Sequence, residues 1–95
     1  MITPENAHHK VLYMQIKRLV PPVRDKKYLD WVRTKHPEKE IHHLFGSYIA
    51  GKRTDYLVLP LTREQHLEAE KNKSEFAIEH LAESIALLIT YLEQK

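Results

Sequence analysis

Prolines divide this chain, and three successive apolar runs each stop at one: Pro21-Pro22, Pro37 and Pro60. Proline gives no backbone N–H and pushes the preceding residue out of the helical region, so the elements between these points must be short. In the first run, Lys10 to Val20, the β-formers Val11, Tyr13 and Ile16 predict a strand. Asp25 is placed to cap a short helix, K-K-Y-L-D-W-V-R, whose Tyr28, Leu29, Trp31 and Val32 make an apolar stripe before His36-Pro37 closes it. Two short β-like runs follow, E-I-H-H-L and D-Y-L-V-L-P, on either side of the loop G-S-Y-I-A-G, and they read as a hairpin ended by Pro60. Thr62 and Gln65 form a T-x-x-Q capping box that opens a charged helix running to about Lys71. Ser74 and Glu75 open a long final helix, with Phe76, Ile78, Leu81, Ile85, Leu88, Ile89 and Leu92 expected on its core face. The expected class is α+β, with an N-terminal strand and helix, a strand–strand–helix centre and a long C-terminal helix.

With 95 residues, 42% of them hydrophobic, the chain suits one domain over 1–95 with a single modest core. It has no cysteine, which excludes disulfides and thiolate metal sites, so any metal must be held by imidazole, carboxylate, carbonyl or water. No apolar run approaches a membrane-spanning length, and the start M-I-T-P-E-N-A-H-H-K is polar where a signal peptide needs an apolar centre; a cytoplasmic location is expected. Residues 1–60 carry eleven Lys/Arg against six Asp/Glu, whereas residues 61–95 carry four against seven. A basic front half suits a polyanion such as nucleic acid, and the bland reading is a solvated surface of mixed charge.

The chemistry gathers around two adjacent histidines, His42 and His43, in the first strand of the hairpin. Strand pleating sends neighbours to opposite faces, so the two cannot do the same work. On the following helix His66 and Glu70 are four residues apart, one turn from each other on one face, a spacing that chelates a divalent ion. If the hairpin crosses that face, either His42 or His43 supplies a third ligand and the other is left beside the metal as a general base. Glu70 on so charged a helix also suits a solvated role. Lys52 and Arg53, at the end of the loop, are candidates for phosphate contacts, or else belong to a solvated turn. Tyr28 and Trp31 read as core, His8 and His9 as serving nothing specific, and His36 and His80 as exposed.

Together, K-K-Y-L-D-W-V-R, E-I-H-H-L and K-R-T-D-Y-L-V-L-P-L-T-R-E-Q-H resemble the HNH (ββα-metal, His-Me finger) endonucleases, in particular the phage-type group that includes a recombination-enhancement nuclease. The resemblance covers roughly residues 24–80. It implies His42 as first metal ligand, His43 as general base, Asp55 as the residue bracing the loop between the strands, and His66 as second ligand. Glu70 would stand where relatives often place another histidine. It also implies metal-dependent hydrolysis of DNA phosphodiester bonds with 5′-phosphate and 3′-hydroxyl products, a role in phage or prophage recombination beside a recombinase, and the host cytoplasm as location.

The chain departs from that pattern where relatives carry two Cys pairs on a structural zinc: here the stretches read T-K-H-P-E-K and T-R-E-Q. The capping box is a partial physical substitute, contributing about 1 kcal/mol. Glu70 in place of histidine favours Mg²⁺ or Mn²⁺, while two imidazoles leave Zn²⁺ or Ni²⁺ open. The competing function is a non-catalytic module on the same scaffold that docks on nucleic acid or a partner protein.

Overall fold

The computed structural model describes residues 4–46 and 53–94. Among them are five helices, α1 (Pro4–Leu19), α2 (Lys26–Lys35), α3 (Arg63–Lys71), α4 (Lys73–Glu79) and α5 (Leu81–Glu93), and two strands, β1 (Glu40–His43) and β2 (Val58–Leu61). The strands pair antiparallel in a two-stranded sheet, so the class is α+β. No helix of the described residues is long and apolar enough to cross a membrane.

The N-terminal strand expected over Lys10–Val20 is instead part of helix α1. Alternation would have put Val11 and Tyr13 on one face. Tyr13 is buried, but Val11 is 54% exposed. The shielded positions of α1 include His9, Leu12, Tyr13 and Ile16, a helical stripe on the helix that packs against α4. Three β-forming residues were outweighed by tertiary burial of that stripe.

Asp25 caps α2 as expected, its Oδ1 accepting the Tyr28 N–H at 3.0 Å, and the helix continues past Arg33 to Lys35. The hairpin register pairs Glu40 with Leu61, Ile41 with Pro60, His42 with Leu59 and His43 with Val58. Pro60 therefore lies inside β2 and does not end it. Leu44 N–H donates to the Leu57 carbonyl at 3.0 Å, which sets the phase of the ladder and makes Ile41–Pro60 a non-hydrogen-bonded pair. The donor that proline lacks is not needed there.

The core lies on both faces of β2. Val58 joins Tyr28 and Val32 of α2, whereas Leu59 and Leu61 join Tyr13, Phe45, Ala69 and Ala77. Leu87 of α5 packs against both groups. The single long C-terminal helix expected from the periodicity is broken at His80, whose φ of −110° and ψ of 11° leave the helical range. The break lets α4 pack on α1 while α5 packs on β2. The buried side of α5 is Ser84, Leu87, Leu88 and Tyr91, so three residues expected in the core, Ile85, Ile89 and Leu92, are 41–51% exposed.

Candidate metal and hydrolytic site

Pleating separates the paired histidines as the strand period requires: His42 lies opposite Leu59 and His43 opposite Val58, on alternate faces of the hairpin. Both residues nonetheless border one cleft of about 220 Å³, along with Tyr13, Arg53, His66, Glu70 and Lys73. The opening of α3 carries two of these residues. Thr62 accepts the Gln65 N–H at 3.2 Å and the Gln65 side chain accepts the Thr62 N–H at 3.0 Å, closing the expected capping box and starting the helix that presents His66 and Glu70.

His42 is 5% exposed, and burial pulls its pKa from 6.5 down to about 4, with the His66 ring pushing the same way. It is therefore neutral near pH 7, with a lone pair to offer. Its ring stands edge-on to His66 with 5.0 Å between centroids. His42 Nδ1 is 3.7 Å and His66 Nε2 is 3.5 Å from Glu70 Oε1. One ligand atom from each of the three lies within 4.8 Å of the others. These separations are long for hydrogen bonds and suit atoms that each bind a shared divalent ion at about 2 Å. Burial pushes the Glu70 carboxyl up, but the Lys73 ammonium 3.3 Å from Oε2 outweighs it, and Glu70 ends below the usual range, ionised.

Glu40 was missed in the sequence. His66 Nδ1–H donates to Glu40 Oε1 at 2.7 Å, and Arg63 donates to Oε2 at 3.2 Å. The His66 bond, then Arg63, lowers the Glu40 pKa, so this carboxylate can only accept. A proton therefore sits on Nδ1, and in the neutral ring Nε2 is the lone-pair atom facing Glu70. A carboxylate behind a histidine in this way is the usual support of a metal-bound imidazole. The available signal was E-x-H: two residues apart on a strand, Glu40 and His42 share a face.

His43 is held differently. Its Nε2–H donates to Asp55 Oδ1 at 2.8 Å, and Asp55 Oδ2 accepts the Asp25 N–H at 2.8 Å. Val23 and Thr54 form a parallel bridge beside these bonds, so the chain entering α2 anchors Asp55, which is 2% exposed. Burial pushes the Asp55 carboxyl up; the His43 bond and the Asp25 amide outweigh it and leave it low. Burial pulls the His43 pKa down against the opposing Asp55 bond, and the net direction is down. Neutral His43 thus keeps its proton on Nε2 and a free lone pair on Nδ1.

The structure brings the three expected ligands together and adds a contact the sequence did not suggest, between His43 and Asp55, which was expected only to brace the loop between the strands. Arg53 is exposed at the cleft rim, and its charge, with that of Arg24, bears on His43. Lys52 lies outside the described residues. His36 and His80, expected to be exposed, are half-buried; His80 stacks on Phe76 with centroids 4.2 Å apart. Comparison with protein-family models, curated proteins and solved structures returned no match for the chain.

Proposed function

We propose that this cleft is the active site of a metal-dependent DNA endonuclease whose β1, β2 and α3 form a ββα-metal core. The observation that carries the reading is the convergence of His42, His66 and Glu70 beside a buried His43–Asp55 pair. The donor set fits a divalent ion, since a neutral His42, a His66 with its lone pair on Nε2 and an ionised Glu70 are each in the form a ligand requires. His42, His66 and Glu70 would hold it, with Mn²⁺ or Mg²⁺ favoured by the carboxylate and Zn²⁺ or Ni²⁺ by the imidazoles. Once bound, it supplies positive charge to the phosphodiester and to the departing 3′ oxygen.

The chain's own residues do the rest. His43 Nδ1 accepts a proton from the water that attacks phosphorus, and Asp55 keeps the ring oriented and stabilises the imidazolium that forms. Arg53 and Lys73 border the cleft and offer cations to the phosphate oxygens. Contacts of this kind go to the DNA backbone, so sequence preference should be weak.

Purified protein incubated with plasmid DNA in Mg²⁺, Mn²⁺, Zn²⁺ or Ni²⁺ tests the reading. Nicking should be abolished by EDTA and reduced about 10²–10⁴-fold by His43→Ala, the range for loss of a general base. Absence of cleavage with all four ions would favour the non-catalytic docking module.

A further inference from the structure

A second group of metal-type ligands lies where α1 meets α4. His9 comes from α1, and Glu75 and Glu79, four residues apart, share one face of α4. One ligand atom from each falls within 4.8 Å of the others. His9 Nδ1 is buried and has no hydrogen-bond partner among the described residues. Glu75 Oε1 is 3.9 Å away, beyond hydrogen-bond reach. Buried ring nitrogens are normally satisfied, and carboxylates cannot donate to a lone pair. The nitrogen faces Glu75 without a hydrogen bond to it, and Glu79 belongs to the same cluster.

We propose that His9, Glu75 and Glu79 form a second divalent-cation site, selective for Zn²⁺, that clamps α1 onto α4. It is independent of the nuclease reading. Zinc bonds of about 2.0–2.2 Å to nitrogen and oxygen set tetrahedral ligands about 3.4 Å apart, which these side chains reach by small rotations. Two carboxylates balance the 2+ charge, and the imidazole disfavours Mg²⁺ and Ca²⁺, which prefer all-oxygen shells. Water completes the shell on the side of Glu79, which is exposed. The chain has no cysteine to staple its N-terminal helix, and α1 leaves Val11, Met14 and Leu19 exposed while contributing Tyr13 to the cleft. A bound cation adds its binding free energy to that attachment.

Equilibrium dialysis of the full chain against Zn²⁺, with thermal unfolding in parallel, tests the site. His66→Ala removes the cleft site, and this variant should still bind one Zn²⁺ and melt higher in its presence. Adding Glu79→Gln, an isosteric change at an exposed position, should weaken that binding at least about tenfold and erase the thermal shift. His9→Asn should repeat the loss from the other helix. If His66→Ala does not fold, Glu79→Gln in the wild-type chain should lower the stoichiometry by one. Failure of His66→Ala to bind Zn²⁺ while folded, or binding unchanged by both Glu79→Gln and His9→Asn, overturns the proposal.

Discussion

A buried imidazole that stays neutral ties the stability of this protein to pH. Above pH 6.5 His42 is neutral in both the folded and the unfolded chain; below it the unfolded chain takes up a proton that the folded chain refuses until about pH 4. The stabilisation is thus complete above 6.5 and is lost as pH falls toward 4, by at most about 3 kcal/mol. Denaturant titrations in chelator at pH 7 and pH 4 should show that loss, and His42→Asn should shrink it; an unchanged slope in the variant would contradict the assignment. Glu40 acts one bond further from the proposed ion. Glu40→Ala should weaken divalent binding in the cleft by about 10–100-fold, and Glu40→Gln, which keeps an acceptor for His66 Nδ1–H, by less. Metal titration followed calorimetrically distinguishes the two. The opposite orientations of His42 and His43 were legible from the strand period, because pleating is a local property. The role of Glu40 was not, since its partner His66 is 26 residues away and becomes relevant only once α3 lies across the hairpin.

Among the elements, α3 is the one whose start is most plainly written. The reciprocal Thr62–Gln65 bonds predict that Thr62→Ala costs about 1 kcal/mol, read as a lower denaturation midpoint. A larger loss would mean that the cap also holds the cleft together. Asp25 likewise marked the start of α2, and the structure adds that its backbone N–H secures Asp55 while its carboxylate caps the helix. Local capping signals were readable because they rest on side chains three residues from their amides. The N-terminal strand and the unbroken final helix were misread for a different reason. Both segments carry apolar residues on more than one face, so periodicity alone leaves the buried side undecided: Val11 and Tyr13 divide between two faces in α1, as do Leu87 and Ile89 in α5.

For the molecule as a whole, the core is split across β2, and α1 reaches it from one side only. Ion binding should therefore stabilise this protein measurably. With the α1–α4 site removed by Glu79→Gln, a cleft ion at a hundred times its dissociation constant should raise the unfolding free energy by about 2.7 kcal/mol. Scanning calorimetry should register an increase on the order of 10 °C for a chain of this size. The same increment should vanish in Glu79→Gln/His66→Ala, and persistence there would place the ion elsewhere.

From the residues alone came the short helix α2 and the hairpin after it, the caps of α2 and α3, the opposite orientations of His42 and His43, and the one-turn spacing of His66 and Glu70. Each of these is set by backbone geometry within a few positions. Tertiary structure decided that the first segment coils, that the last one breaks at His80, and that Glu40 and His9 face groups far along the chain. Those outcomes depend on which apolar faces can be buried together and on which polar atoms end up opposite one another, and neither is settled until the whole chain has closed around β2.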